Sequence, residues 1–318
     1  MLTLIPNRQH TEAAMNLALE EYCVQNLDAQ GTNYLILYAN APCVVVGKNQ
    51  NVLEEINYHY TQAQGIEIVR RQSGGGAVYH DLGNLNFATI SQYAPEKMGN
   101  YPYFNAPILQ ALQAMGVPAS HNQRNDMVAQ GYKISGNAQQ STKKNILSHG
   151  TLLFDADLGV LKFALNPSLK SVQSYSLKSV RSSVKNIKDF LPQIPNTQAF
   201  RQELLLHIGI DSVLELSSQQ WQEIEAIAQK KYRTWAWNFA KSPECSLQKS
   251  HNQYSVRMVV AYGCIVSVAF SGVESEEVAG LMERALVGVE FRRETIAEAL
   301  QPVVVSPHFF EEMMVLLY

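Results

Sequence analysis

Apolar residues Met15, Ala18, Leu19 and Tyr22 recur at i, i+3, i+4 and i+7, which predicts a half-buried helix that Thr11 can cap. Short β-rich runs follow at Tyr34 to Tyr38, Cys43 to Val46, Ile66 to Val69 and Leu85 to Ile90, each bounded by Gly, Pro or Asn, and these read as strands. Ile108, Leu109, Leu112 and Met115 restore the helical period until Gly116 and Pro118 stop it. Further strands are expected around Lys133 and Leu152. Between Thr197 and Tyr232 the helical period dominates, with Ser217 and Gln220 spaced as a capping box, and the sheet is expected to be over by then.

The pattern breaks between Lys241 and Ser250, a polar stretch with Ser242 and Pro243 that reads as a linker. Beyond it, Tyr254 to Ala261 and Cys264 to Phe270 flank a Tyr262-Gly263 turn, and the rest to Tyr318 looks helical around Pro302 and Pro307. The expected organisation is α+β: a large catalytic domain over residues 1–240, a linker over 241–250, and a small α+β accessory domain over 251–318. The chain shows neither a fixed-period repeat nor a low-complexity tract.

Composition narrows the function classes. A chain of 318 residues with 46% hydrophobic content can bury a large core. Its net charge of −3 gives no global field for nucleic acid or an anionic membrane, so electrostatic recognition has to be local. Cys23, Cys43, Cys245 and Cys264 lack any C-x-x-C spacing and read as reduced, buried thiols. No basic stretch precedes an apolar run at the start, and no run is long enough to span a bilayer, so a cytoplasmic protein is expected.

Three segments carry candidate chemistry. In Arg70-Arg71-Gln72-Ser73-Gly74-Gly75-Gly76-Ala77-Val78-Tyr79-His80-Asp81, the glycines let backbone N–H groups turn toward phosphate or carboxylate oxygens, and the arginines add fixed charge. Neither the dinucleotide pattern nor the Walker pattern is present, so another way of binding an adenylate is required. In Arg124-Asn125-Asp126 and Lys133-Ile134-Ser135-Gly136, strands over Asp126 to Ala129 and Tyr132 to Ala138 around Gln130-Gly131 would let Asp126 and Lys133 face one pocket. Lys133 suits a site where charge builds up on carboxylate and phosphate oxygens. Asp126 either holds magnesium, with phosphates as co-ligands, or pairs with Lys133. The third, Ser148-His149-Gly150-Thr151, enters an apolar strand at a His-Gly step that suits a backbone lying close to a ligand. Ser179-Val180-Arg181-Ser182 and Trp235-Ala236-Trp237-Asn238-Phe239 have no chemical reading of their own; the aromatic cluster reads as packing at the end of the first domain.

Taken in order, these segments resemble the lipoate–protein ligase family. The likeness rests on Gly47-Lys48-Asn49-Gln50-Asn51, the glycine block from Arg70 to Asn84, Arg124-Asn125-Asp126, Lys133-Ile134-Ser135-Gly136, His149-Gly150-Thr151-Leu152-Leu153, the Arg181 segment and Trp237-Asn238-Phe239, and it spans most of the chain. It implies the mixed-sheet core shared with biotin–protein ligases, a C-terminal accessory domain, and the reaction of lipoate (or octanoate), ATP and an acceptor lysine to give acyl-lysine, AMP and pyrophosphate. It places ATP and the adenylate at Arg71, Gly74, Gly75, Gly76, Ala77, Val78, Tyr79 and Lys133, and lipoate at Lys133, Ser73, His80 and His149. Tyr38 and Val46 are candidates for the apolar channel. ATP with Mg2+ enters as substrate, with Asp126 the candidate metal ligand, and no permanently bound cofactor is implied. The implied acceptors are apo lipoyl domains of 2-oxoacid dehydrogenase E2 subunits or the glycine cleavage H protein. Gln72, Lys48 and Ser148 depart from the family's usual residues and bear on acyl preference and turnover. A thioester transferase of the same fold would need an activated cysteine beside the pocket, and only Cys23 and Cys43 precede the linker. A biotin ligase would need a glycine-arginine-rich loop that is absent here, and a non-catalytic binder of lipoyl domains would have no use for Lys133.

Overall fold

A computed structural model describes residues 1–167 and 171–318. In chain order the first strands are β1 (Leu2–Leu4), β2 (Asn33–Ala39), β3 (Cys43–Val46), β4 (Glu67–Arg70), β5 (Val78–His80) and β6 (Asn84–Gln92). They are followed by β7 (Ala119–His121), β8 (Met127–Ala129), β9 (Tyr132–Ser135), β10 (Asn137–Ser141) and β11 (Asn145–Leu153), then β12 (Gln173–Ser174) and β13 (Ser212–Val213). The last strands are β14 (Cys245–His251), β15 (Tyr254–Ala261) and β16 (Cys264–Ser271).

A six-stranded mixed sheet in the order β10-β11-β6-β2-β1-β13 forms the centre of the larger part. Alternate residues of its strands feed two cores, as period-two geometry requires. Ile36, Ala88, Ile90 and Leu147 pack with helix Ala13–Asn26 on one face, while Leu35, Leu37, Leu85 and Phe87 face helices Tyr101–Ala114 and Thr197–Ile208 on the other. The first helix is buried from Ala13 to Val24 on all sides, because Trp221, Ile224 and Tyr232 cover the face that points away from the sheet. It is therefore more enclosed than its amphipathic stripe predicts. Its N-cap is Glu12 and makes no side-chain cap bond, so Thr11 does not serve as the cap. The capping box of Ser217 and Gln220 is formed in full.

The sheet does not end before Thr197: Ser212–Val213 pairs in parallel with Leu4 and Thr3 of β1. Two residues between helices carry too little period to be legible as a strand. The expected linker is likewise mostly strand, since β14 begins at Cys245 and buries Cys245 and Leu247 on alternate positions of a largely polar run. Strands β12-β14-β15-β16 form a second sheet, covered by helices Glu276–Leu286, Arg293–Leu300 and Pro307–Leu317 around Met258, Ile265, Met282 and Leu317. Its outermost strand, β12, is lent by the preceding part of the chain and pairs with Cys245 and Ser246. Leu53 and Tyr58 pack against this second core. Among the described residues, no helix is long and apolar enough to cross a membrane.

Candidate functional site

The three motif segments converge because short strands return the chain to one place. β3 pairs with β4 and β5, which sets the glycine block between Arg70 and Val78. Arg70 is fully buried and donates to the carbonyls of Gly47 (2.9 Å), Gln50 (2.7 Å) and Asn238 (3.0 Å). Asn238 Oδ1 in turn accepts from the Arg70 backbone N–H (2.9 Å). The aromatic segment thus clamps the entrance of the block rather than only filling space. Arg71 also turns inward, donating to Ser73 Oγ (3.0 Å) and to the carbonyls of Val45 (3.0 Å), Gly74 (2.6 Å) and Gly76 (2.7 Å). Burial lowers both guanidinium pKa values to about 10. The glycines are needed on steric grounds: Gly75 has φ +87, and a Cβ on Gly47 would lie 2.2 Å from the Gly75 carbonyl oxygen. Among the described residues no carbonyl accepts from the N–H groups of Gly75 and Gly76, which leaves them available to a ligand.

Lys133 lies on the β8–β9 hairpin, whose turn residues Gln130 and Gly131 both have positive φ (50 and 83). The register slips between Met127 and Val128, and the expected strand from Tyr132 to Ala138 breaks at Gly136 into β9 and β10. Asp126 sits just before β8, held by its backbone N–H on Asn122 Oδ1 (3.0 Å). From there it pairs with Lys133 Nζ at 2.9 Å.

Behind them lies a cavity of about 380 Å³. Its wall includes Arg71, Gly75, Gly76, Ala77, Val78, His80, Asp126, Lys133 and His149 of the residues singled out from sequence, together with Tyr38. Ser73, Gly74 and Tyr79 are not on the wall: Ser73 stands behind His149, and the buried Tyr79 side chain belongs to the core that also holds Val44 and Val46. Val46 is therefore corrected to Val45, because alternation along β3 turns Val45, not Val46, toward the cavity. Arg71, Arg124, Lys133 and Lys178 oppose the carboxylate of Asp126 on this wall, which suits an anionic ligand.

The inner end is closed by a relay of paired polar groups. Tyr38 O–H donates to Glu20 Oε1 (2.7 Å), and Glu20 Oε2 accepts from His149 Nδ1 (2.7 Å). His149 Nε2 is thereby left as the acceptor for Ser73 O–H (2.6 Å). His80 has the opposite tautomer. Asn16 donates to Asn40 Oδ1 (2.9 Å), so Asn40 Nδ2 donates to His80 Nδ1 (3.0 Å) and the proton stays on Nε2, a buried atom with no partner among the described residues. Burial first, then the Arg71 charge, push the His80 pKa down to about 3, which keeps the ring neutral.

Sequence reasoning missed Glu20, Asn40 and Ser179. The first two are polar residues in or beside an apolar helix and strand, and that misfit was the available signal. Ser179, from the segment left without a reading, accepts from the Ala77 N–H (2.8 Å), donates to Glu55, and takes a bond from Gln50. None of the cysteines lines the cavity, and burial raises the pKa of both Cys23 and Cys43. Among the described residues no group of three or more His, Cys, Asp or Glu could hold a metal ion.

Comparison with known proteins gives the context for this geometry. Residues 12–209 match the family model of the lipoyl protein ligase A/B catalytic domain. The lipoate-protein ligase LplJ of Bacillus subtilis is 40% identical over 322 residues, covering 97% of this chain and 96% of the relative. A Thermoplasma acidophilum protein solved with bound lipoic acid is similar with a TM-score of 0.61 and 25% identity, covering 74% of this chain and 98% of that one. A crystal structure of lipoate-protein ligase A bound with ATP is similar with a TM-score of 0.62 and 26% identity, covering 75% of this chain and 96% of that one.

Proposed function

The chain belongs to the lipoate–protein ligase family, and from that premise we propose that its cavity is where lipoate and ATP meet to form lipoyl-AMP, whose acyl group then passes to a lysine of an apo lipoyl domain. The protein is a ligase that uses lipoate and ATP. The observation that carries the site assignment is the two-ended cavity: Leu17, Tyr38 and Val45 offer apolar surface to a C8 chain, while Lys133 and the Gly75–Gly76 turn lie where anionic oxygens can be met.

In the first half-reaction the lipoate carboxylate attacks the α-phosphorus and pyrophosphate leaves. Lys133 offsets the charge gathering on the carboxylate and phosphate oxygens, and Asp126 holds the ammonium in reach until the substrates replace it. The free N–H groups of Gly75 and Gly76 take phosphate oxygens, while Arg71 keeps their turn in shape from behind. Asp126, the carboxylate on the wall, would be the residue to hold a magnesium ion arriving with the triphosphate, which would offset further phosphate charge. In the second half-reaction the acceptor's neutral lysine amine attacks the acyl carbonyl, AMP leaves, and an amide forms. No thiol takes part, in keeping with cysteines that all lie off the cavity wall, three of them buried and Cys264, against expectation, only half-buried.

The test is pyrophosphate release with ATP and lipoate, first without and then with an apo lipoyl domain, together with mass spectrometry of the bound small molecule. Lipoyl-AMP is expected in the absence of acceptor. Acyl transfer from a carrier thioester without any adenylate would refute the reading.

A further inference from the structure

The basic residues of this chain are unevenly distributed. Residues 124–188 hold ten Lys and Arg against three Asp, whereas the rest of the chain holds 15 basic against 25 acidic residues. Like charges repel, and although Lys133, Lys178, Lys185 and Lys188 pair with Asp126, Glu54, Asp189 and Asp155, the excess that is left favours a partner of opposite charge.

The fold brings part of this segment to one rim. Arg124, Lys133 and Lys178 stand on the cavity wall. Arg181 and Lys185 continue outward from it, because the chain there runs beside β9: the Lys133 N–H donates to the Ser183 carbonyl (2.9 Å) and the Lys185 N–H to the Lys133 carbonyl (3.1 Å). Arg181 is exposed and, among the described residues, makes one side-chain bond, to Asn166 Oδ1 at 3.3 Å. The half-buried Lys185 lies 4.8 Å over the Phe190 ring and 5.8 Å over the Tyr132 ring, and is loosely paired with the exposed Asp189 at 3.8 Å. Tyr175, Leu177 and Val180 are exposed on the same segment, so apolar contact surface accompanies the charge.

Neither Arg181 nor Lys185 is on the cavity wall, so bound triphosphate does not account for them. The acceptor's lysine must come to this rim, and as an ammonium it is repelled there. The rim therefore favours the neutral amine that attacks the acyl carbonyl, and it requires compensating negative charge elsewhere on the acceptor. We infer that this rim, centred on Arg181 and Lys185, is the docking surface for an acceptor domain that carries acidic side chains beside its target lysine. The inference rests on the ligase reading and adds the chemistry by which the protein substrate is recognised.

The experiment uses the full chain and an apo E2 lipoyl domain with acidic residues flanking its lysine, and measures kcat/KM for transfer separately from the rate of adenylate formation. Arg181→Glu, Lys185→Glu and the double variant are compared at low and high ionic strength, with circular dichroism to confirm folding. The double variant is expected to lose about tenfold or more in transfer at low salt, and to lose the salt dependence of the unaltered protein, with adenylate formation within about twofold. Replacing the lipoyl domain's flanking acidic residues by lysine should restore part of the rate with the double variant. Unchanged transfer would overturn the proposal, as would an equal fall in adenylate formation, which would assign the rim to the nucleotide. Absence of adenylate from the unaltered protein would refute the ligase reading itself, and the docking surface with it.

Discussion

The two ends of the cavity treat polar groups in opposite ways. At the inner end, Tyr38, Glu20, His149 and Ser73 are buried and bonded to one another, so each donor has an acceptor before any ligand arrives. At the mouth, Lys133 and Asp126 form a single pair with side chains 25% and 15% exposed, next to Lys178 at 67%. A sealed relay fixes shape, because breaking any link leaves a buried group unpaired. A half-exposed pair can be exchanged for substrate oxygens at little cost, which is what a group acting on developing charge requires. The inner end should therefore be read mainly through stability and the mouth mainly through rate.

The sharpest test of that division is Lys133→Ala. Adenylate formation should fall by about 10²–10³-fold or more, with the melting temperature little changed, as single-turnover kinetics and thermal unfolding would show. A stability loss with near-normal chemistry would move Lys133 into the structural class. Glu20→Ala should do the reverse. It strips the acceptor from Tyr38 and His149 at once, and urea unfolding should report a loss of about 1–3 kcal/mol, whereas adenylate formation at saturating lipoate should survive in the folded fraction.

His80 sharpens the contrast through pH. Its folded pKa, about 3, lies below the unfolded value of 6.5, so unfolding takes up a proton. The stability its burial protects is complete above about 6.5 and declines as pH falls toward about 3, by up to ~1.4 kcal/mol per pH unit. His80→Gln should flatten that part of the slope in urea midpoints measured between about pH 4 and about pH 7. Identical slopes would show that solvent reaches the ring. The smallest effects belong to the thiols: Cys23→Ala or Cys43→Ala should cost on the order of 1 kcal/mol in packing and leave lipoyl transfer per folded molecule intact. Loss of transfer by several orders of magnitude in one of them would make sulfur a reactant.

How much of this was legible depended on whether the chemistry was local. The strands at Cys43 and Leu85 and the helix over Ile108 announce themselves by period, and the glycine block by steric need. Lys133 was legible from its flanking residues. What could not be read is what depends on partners far along the chain. Glu20 meets His149 only because a helix and β11 pack together, and Arg70 is met by Asn238, 168 residues further on. Nothing near Arg71 says that its guanidinium turns back onto its own loop. Lys241 to Ser250 looked like a linker because a largely polar edge of a small sheet has the composition of a loop, and Gln173–Ser174 is too short for any period to register.

That last pairing bears on how the protein is made. Strand β12 is synthesised about 70 residues before its partner β14, which at usual ribosomal rates is roughly 4–15 s. During that interval Ser174, Ser176 and Ser179 can already find Glu54 and Glu55, but the edge of the segment that walls the cavity has no strand to lie against. The cavity wall is thus completed by a strand made after every residue that lines it. Until β14 has been made, the chain has its lysine and its glycine turn but not its finished enclosure.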